Sequence, residues 1–589
     1  MGNNNDQNLN NLRHSTAHLL AAAVLALYPD TLLTIGPAIE DGFYYDFDLG
    51  GRLSDEDFPK IEKKMGEILK TWTGFTHREV SEKEAREIYK DNPFKLELID
   101  EIVKKGEKIT LYKAGPPAGG FEDLCRGGHS ENPVEDIGAF KLMSIAGAYW
   151  RGSEKNKMLT RIYGTCFPTK KELDDYLAML EEARKRDHKK LGLQLDLFMF
   201  HETSPGMAYW LPKGLLLYNT LYAFNRDLHR RYGYKEVATP LLNKKALYLT
   251  SGHWTHYRDD MFVSPMSYLR GESQEALEGT EVFGIKPMNC PNAMIIFGSK
   301  TRSYRDLPLR LSDTDVLHRF ELSGTLNGLF RTREFRQDDA HVFIRVDQIE
   351  TEFQEIMALT AELYKPFYLT YRLRFGTRPE GFMGEAGDWD VAETALRSVL
   401  EKSGREFFEA EGEGAFYGPK VDILMKDSLG REWQTGTIQL DFQQPKNFGL
   451  TYINDQGDEV TPAVMHRAIY GSFERFIGIL TEHYAGAFPL WLAPVQIMLL
   501  PISDKHNGKA KALAEELTRA GLRAETDIRS ERLQAKIRES TLQKVPYMGI
   551  IGDKEIAEEV VSVRTLAGDD LGKVKISELA RKLKEEIGI

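Results

Sequence analysis

The chain opens on a strongly apolar helical pattern. Residues 13–29, RHSTAHLLAAAVLALYP, form a nearly continuous apolar run with His14 and His18 at its head. Apolar positions on helical spacing predict a buried helix. Residues four apart lie on the same helix face. Two imidazoles on the first turn of such a helix therefore need an explanation beyond packing.

The pattern then divides the chain into segments. The polar residues 1–11 predict a disordered tail, and residues 12–168 mix strand-like and helical runs, which predicts an α+β domain. Residues 169–190 show helical spacing with charged faces and predict a connecting helix. Residues 191–489 carry β-branched and aromatic runs separated by turns, which favours an antiparallel sheet. Residues 490–589 alternate strand and helix signals and predict a small α/β domain.

Composition narrows the class of protein. A chain of 589 residues exceeds one hydrophobic core, and no apolar run approaches the roughly 18 residues of a membrane helix. The opening run resembles a secretory signal, but its two histidines interrupt that pattern. Only three cysteines occur, which indicates a reducing, cytoplasmic compartment. A net charge of −12 argues against a protein coated in nucleic acid and leaves room for local basic patches.

The central block holds arginines in an unusual arrangement. Arg319 and Glu321 lie on one strand-like arm, and Arg331 and Phe335 follow a glycine-containing loop. Farther on, Arg475 interrupts the apolar pattern of the helix-like segment 465–480. Guanidinium groups on a rigid sheet suit phosphate oxygens. Taken alone, each segment is equally compatible with an ordinary ion pair.

Their combination is more specific. The Arg-x-Glu strand, the loop and the Gly-x-x-Glu-Arg helix resemble motifs two and three of class II aminoacyl-tRNA synthetases, and Pro240 in YKEVATPLL occupies the motif one position. The resemblance implies a six-stranded antiparallel sheet, flanked by helices, that binds a bent ATP. It also implies a homodimer.

Three further residues narrow the resemblance. Cys290 in IKPMNCP, His341 in RQDDAH and His466 in VMHRA offer one thiolate and two imidazoles, a suitable zinc set with a fourth position open. Their spacing by itself carries no metal signal. The chain resembles the threonyl-tRNA synthetase family from about residue 12 to the C-terminus. The segments that carry this resemblance include YRDLPLR, QDDAHVF, GEGAFYGPK and RFIGILTEHYAGAFPLWLAPVQ.

The resemblance implies the chemistry of the central domain: ATP-dependent ligation of L-threonine to its tRNA. One zinc ion per subunit, held by Cys290, His341 and His466, would select threonine over valine. Asp339 would bind the threonine ammonium or hydroxyl, and Gln337 and Gln439 would form a polar wall, acting with Arg319 and Arg475. The residues implied for ATP with Mg²⁺ are Arg319, Glu321, Arg331, Phe335, Lys420, Gln434, Thr437, Ser472 and Arg475.

Serine also carries an amine and a hydroxyl, so a second, hydrolytic site is expected. His14 and His18, with Cys125 and His129 in DLCRGGH, form two i, i+4 pairs that resemble a zinc tetrad. HSTAH lacks the glutamate of a metalloprotease. The family resemblance assigns these residues, with Lys95 and Asp123, to an editing site that deacylates seryl-tRNA. The resemblance implies His14 or His18 as the base or water-positioning residue, assisted by Cys125 and His129. Metal binding at this cluster is left open, and a metal-free site is favoured.

The C-terminal domain is implied to bind the anticodon, with Glu555 and Arg564 as the predicted contacts. The sequence departs from the family at its start, where about eleven polar residues precede the editing domain and the usual ubiquitin-like domain is lacking. The segment 264–284 is longer than usual, and Asn292–Ala293 replaces Gly-His.

Two rival functions remain open. The first is a synthetase-like, RNA-binding regulator that charges no tRNA, against which the intact arginines and zinc set count. The second is a metal-dependent hydrolase using the N-terminal cluster, which leaves the central block unexplained.

Overall fold

The computed structural model describes residues 2–117, 119–265 and 282–588, and it forms two compact units, Met1–Glu182 and Ala183–Ile589. Residues 266–281, most of the unusually long segment 264–284, lie outside the described residues.

The first unit begins with the helix Gly2–Leu27. The predicted disordered tail 1–11 is therefore wrong from residue 2 onward. The physical reason is packing: Leu9 and Leu12 contact the same apolar core as the buried run Leu19–Val24, so tertiary contacts extend the helix into the polar segment.

Two sheets complete this unit. One has the strand order Leu32–Leu33, Gly42–Asp48, Met158–Phe167 and Ala139–Tyr149, with Ala38–Ile39 also pairing with Gly42–Asp48. The other joins Phe75–Val80, Ile109–Ala114 and Phe121–Leu124 in antiparallel order. The further helices are Phe58–Leu69, Glu82–Ile88, Pro93–Lys104 and Pro133–Asp136.

The predicted connecting helix 169–190 is two helices, Lys170–Lys185 and His188–Gln194. Asp187 separates them because its side chain accepts a hydrogen bond from the Lys189 amide and so caps the second helix. His188 thereby becomes the first residue of that helix.

The second unit is built on an eight-stranded sheet. Its six inner strands pair antiparallel, as the family resemblance implied, and one parallel strand is added at each edge. The strand order is Lys235–Val237, Leu309–Asp313, Asp339–Ile344, Ala463–Ala468, Glu432–Asp441, Lys420–Lys426, Thr370–Gly376 and Phe407–Ala410. Helices that contribute to its core are Pro212–Arg231, Ile349–Tyr364, Ala386–Lys402 and Phe473–His483.

Smaller elements surround this sheet. They include the hairpins Phe198–Phe200 with Ala208–Trp210 and Val316–His318 with Glu334–Arg336, and the three-stranded sheets Leu242–Lys244, Val282–Ile285, Val263–Pro265 and Arg302–Ser303, Tyr452–Ile453, Glu459–Val460. Short helices are Lys245–Thr250, His253–His256, Cys290–Gly298 and Gln443–Asn447.

The C-terminal part confirms the predicted α/β pattern. Its sheet has the order Ala524–Thr526, Ile497–Pro501, Tyr547–Ile551, Val561–Thr565 and Asp570–Val574, parallel in the first two pairings and antiparallel in the last two. Its helices are Asn507–Arg519, Leu533–Leu542, Asp553–Glu558 and Ile576–Ile587. Across the described ranges of the whole chain, no helix is both long and apolar enough to span a bilayer.

Candidate functional sites

The three predicted zinc ligands meet in the second unit. The ligand atoms of Cys290, His341 and His466 lie within 4.8 Å of one another, and all three residues are buried. Within the described residues, neither ring nitrogen of His341 has a hydrogen-bond partner, and Nδ1 of His466 has none. Buried polar atoms are normally paired, so this donor set fits a divalent cation that prefers sulfur and nitrogen ligands, as zinc does.

Two buried hydrogen bonds lie at or beside this cluster. His466 donates its Nε2–H to Asp441 Oδ2 at 2.9 Å, which fixes the ring and leaves Nδ1 as the ligand atom. Asn289, which directly precedes Cys290 in the sequence, donates a hydrogen bond to Asp339 Oδ2 at 3.1 Å. Neither Asp441 nor Asn289 is predicted from the sequence, although Asp441 lies two residues after Gln439 on one strand.

The strand register places the predicted nucleotide side chains beside the metal cluster. His341 pairs with His466, His466 with Gln439, and Gln439 with Lys420, so these four side chains form a row across four strands. The Tyr417 hydroxyl donates a hydrogen bond to Oε1 of Gln439, an inner member of this row.

A bulge brings Gln434 to the same face. The pairing shifts between Ile423 and Leu424, so that Thr435 is the extra residue, and Gln434 becomes equivalent to Thr437 in side-chain direction. Gln434 Nε2 then donates to Asp422 Oδ1 at 2.8 Å. Lys420 Nζ lies 3.2 Å from the other oxygen of the same carboxylate.

The predicted motif two and motif three residues also converge. The Arg319 guanidinium lies 5.0 Å from the Phe335 ring centroid, and Arg331 donates to Glu321 Oε2 at 2.8 Å. Arg475 is largely buried, its Nε has no partner among the described residues, and burial together with the Arg331 charge lowers its pKa. Two neighbouring cations with an unused donor make a site for a polyanion.

Motif two is tied to motif three at the start of the helix Phe473–His483. Ser472 accepts from the Arg475 amide at 3.1 Å and bridges backbone to backbone with Gln337. Glu474 accepts from the Arg336 amide at 3.0 Å. These contacts hold Arg475 opposite the strand that carries Phe335.

In the first unit, His14, His18, Cys125 and His129 form a single cluster with ligand atoms within 4.8 Å. The Cys125 sulfur lies 3.3 Å from His129 Nε2 and 3.6 Å from His14 Nε2. Burial raises the pKa of the Cys125 thiol to about 11 and lowers the pKa of His129 to about 2. At neutral pH the pair is therefore a thiol and a neutral imidazole.

The remaining two editing residues are an ion pair beside this cluster. Lys95 Nζ lies 2.5 Å from Asp123 Oδ1, with both side chains buried, and Tyr45 donates to Asp123 Oδ2 at 2.6 Å. The six predicted residues are thus brought together. All except His129 line a cavity of about 560 Å³.

The two predicted anticodon residues have different environments. Glu555 accepts from the Gly552 amide at 3.0 Å and from the Ser562 hydroxyl at 3.0 Å, so its carboxylate caps the helix Asp553–Glu558. Arg564 is exposed on the strand Val561–Thr565. The structure therefore gives Glu555 a local structural role and leaves the Arg564 side chain at the surface.

Comparison with known families agrees with this architecture. Residues 274–484 match the model described as "tRNA synthetase class II core domain (G, H, P, S and T)", and residues 496–586 match "Anticodon binding domain". Residues 109–163 match "Threonyl and Alanyl tRNA synthetase second additional domain". The fold and the arginine-lined face therefore define a class II aminoacyl-tRNA synthetase.

Curated relatives narrow the class. The threonine--tRNA ligase of Thermotoga maritima is 49% identical over 579 residues, 98% of this chain and 88% of the relative, and that of Acetivibrio thermocellus is 48% identical with the same coverage. A crystal structure titled as the RNA binding domain of threonyl-tRNA synthetase from Cryptosporidium parvum aligns with TM-score 0.64 at 40% identity, covering 68% of this chain and 98% of that one. The chain belongs to the threonyl-tRNA synthetase family, as its sequence words predict.

Proposed function

We propose that this protein ligates L-threonine to its tRNA through a threonyl-adenylate. The observation that carries the proposal is the row of His341, His466, Gln439 and Lys420, which joins a metal-ligating cluster to a nucleotide-binding face on one rigid sheet. A site for an amine and hydroxyl beside a site for ATP is what selection and activation of threonine require.

The amino-acid pocket is proposed at Cys290, His341 and His466. Zinc held there supplies a centre that binds an amine and a hydroxyl together, and the isosteric valine lacks the hydroxyl. Asp339 lies two residues before His341 on the same strand and face, where its carboxylate would accept from the threonine ammonium or hydroxyl. Gln337 and Gln439 are the proposed polar walls.

The activation step is attack of the threonine carboxylate oxygen on the α-phosphorus of ATP. A bond forms between the threonine carboxylate oxygen and the α-phosphorus. The bond between the α-phosphorus and the oxygen that bridges to the β-phosphorus breaks, and pyrophosphate leaves with that electron pair. Arg319 and Arg475, with Mg²⁺, would neutralise the phosphate charge, and Phe335 would stack on adenine. Glu321, Arg331, Lys420, Gln434, Thr437 and Ser472 complete the proposed nucleotide site.

The first unit is proposed to correct errors of the second. Serine has the amine and hydroxyl that the zinc site selects, and loss of one methyl group costs only about 1–3 kcal/mol. His14, beside Cys125 at the wall of the cavity, would take a proton from water as the water oxygen bonds to the carbonyl carbon of the seryl ester. The bond from that carbon to the tRNA ribose oxygen would then break, and the proton would pass from His14 to the departing ribose oxygen. Lys95 and Asp123 would position the substrate, and metal-free hydrolysis stays a prediction.

Three further features belong to the same proposal. Arg564 would contact the anticodon. The Glu555 carboxylate is already used as a helix cap, which argues against a direct contact between Glu555 and the anticodon. A homodimer is proposed because Leu241 and Leu242, next to Pro240, are large apolar residues with 41% and 54% of their surface exposed. A cytoplasmic location is supported by three free cysteines.

The test is threonine-dependent exchange of pyrophosphate into ATP by the purified full chain. We expect exchange with zinc-replete protein, loss of exchange after chelation and recovery with added zinc. No exchange with zinc-replete protein would refute the proposal and favour the non-charging RNA-binding alternative.

A further inference from the structure

His188 contacts the loop between the two arms of motif two. Its Nε2 accepts a hydrogen bond from the Leu329 amide at 3.0 Å, and its ring lies 4.0 Å from the Phe330 ring between centroids. The neighbouring Lys189 donates to Asn327 Oδ1 at 3.1 Å. The first turn of the helix His188–Gln194 therefore contacts this loop at Asn327, Leu329 and Phe330.

Glu482 fixes the ring from the other side. His188 Nδ1 lies 2.8 Å from Glu482 Oε1, which also accepts the His188 backbone amide at 3.1 Å. Because Nδ1 faces a carboxylate, it carries the proton, and Nε2 is left as the acceptor that the Leu329 amide requires. Both ring nitrogens are thus in use, which argues against a metal site at Asp187, His188 and Glu482, although their ligand atoms lie within 4.8 Å.

The loop reaches the proposed nucleotide site through aromatic packing. The Phe330 ring lies 4.5 Å from the Trp433 ring, and the Arg475 guanidinium lies 5.9 Å from the Trp433 centroid. Arg431 packs on the same indole at 5.1 Å and donates to Glu482 Oε2 at 2.7 Å. His188 is therefore connected to Trp433 through Phe330, and Glu482 is connected to it through Arg431. Trp433 is the side chain next to the Arg475 guanidinium.

Gly328 shows how closely the loop is fitted to His188. Its φ is +51°, and a Cβ added there would lie 2.3 Å from His188 Nε2. Gly324, in the same loop, has open space within 4 Å. A side chain is therefore tolerated at one position of the loop and displaces the imidazole at the other.

We propose that His188 is a positioning residue for ATP binding: it fixes the motif two loop through the Leu329 amide and thereby places Arg331 and Arg475. The inference rests on the proposed ATP roles of these arginines. According to this inference, the loop needs the hydrogen-bond acceptor at His188 Nε2. The imidazole ring itself and the contact with Glu482 are not sufficient.

Two substitutions separate these roles. In His188→Gln the amide oxygen can reach the place of Nε2 and still accept from Leu329, whereas His188→Asn keeps a donor near Nδ1 and loses the acceptor. We expect His188→Asn to raise the KM for ATP in the exchange assay by about tenfold, the size of one lost hydrogen bond to a buried group. We expect His188→Gln to stay within about threefold of the parent protein.

The loop itself gives an independent test. Gly328→Ala is expected to raise the KM for ATP as His188→Asn does, with Gly324→Ala as the matched control near the parent value. In a double-mutant cycle the Gly328→Ala effect should shrink in the His188→Asn background, because the displaced contact is already lost.

Amide hydrogen exchange of the peptide containing Leu329 separates failure of this inference from failure of the proposed function. Faster exchange in His188→Asn but not in His188→Gln supports positioning even if the parent protein shows no ATP activity. Equal effects of the Asn and Gln variants on KM and on Leu329 exchange, or a loss confined to kcat and thermal stability, would overturn the inference.

Discussion

His341 and His466 are register partners on adjacent antiparallel strands, with ring centroids 4.9 Å apart. They are far apart in sequence, and the sheet makes them nearest neighbours. Cys290 reaches the same point from the start of a helix. The candidate metal ligands therefore come from two adjacent strands of the eight-stranded sheet and from the start of one helix.

The first prediction concerns Asp441, whose carboxylate accepts a hydrogen bond from His466. Asp441→Asn weakens the hydrogen bond that fixes the imidazole, and loss of such a partner typically costs about 10–100-fold in metal affinity or activity. We expect lower zinc content and lower threonine-dependent exchange, measured together on the same preparation. Asp455→Asn, an exposed aspartate, is the control. Full zinc affinity in Asp441→Asn would contradict the role given to this carboxylate.

The second prediction concerns substitution of Arg475. Arg475→Gln removes a buried cation that has no carboxylate partner among the described side chains, so its cost should fall on polyanion binding. We expect kcat/KM for ATP to fall by about 10²–10³, the usual cost of one charge-stabilising donor. Steady-state exchange at varied ATP measures this. The exposed Arg405→Gln should leave it unchanged, and an equal loss in both variants would argue against a specific role.

The editing cluster predicts a separation of two activities. His14→Ala should leave adenylate formation intact and slow deacylation of seryl-tRNA by about 10²–10⁴, the usual contribution of a general base. Hydrolysis of isolated seryl-tRNA measures this directly. His77→Ala changes an exposed histidine of the same unit and serves as the control. Unchanged deacylation in His14→Ala would remove His14 from the mechanism.

Glu474 predicts how stability depends on pH. Burial raises the pKa of its carboxyl from 4.5 to about 7, so the folded state binds the proton more tightly than the unfolded state. The stability this group contributes is full below pH 4.5 and is lost as the pH rises to about 7.

Glu474→Gln should therefore stabilise the protein more at about pH 8 than at about pH 5, by roughly 2.5 kcal/mol in the unfolding free energy. Denaturant unfolding at the two pH values tests this. The exposed Glu459→Gln should show no such difference. A pH dependence identical to that of the parent protein would place the titrating group elsewhere.

The sequence by itself determined much of this protein. Periodicity found the opening helix, the antiparallel central region and the α/β C-terminal part, because local patterns of burial follow directly from side-chain polarity. Words such as IKPMNCP and RQDDAH identified the family and the candidate ligands. The disordered tail was wrong because Leu9 packs on a core that polarity alone does not reveal.

Only the tertiary structure decided which of these residues act together. The row from His341 to Lys420 depends on strand order and register, and the place of Gln434 depends on a bulge at Thr435. The roles of Asp441 and His188 depend on hydrogen bonds between residues that no local pattern connects. The physical reason is that polarity specifies whether a side chain is buried, whereas long-range pairing specifies what it meets there.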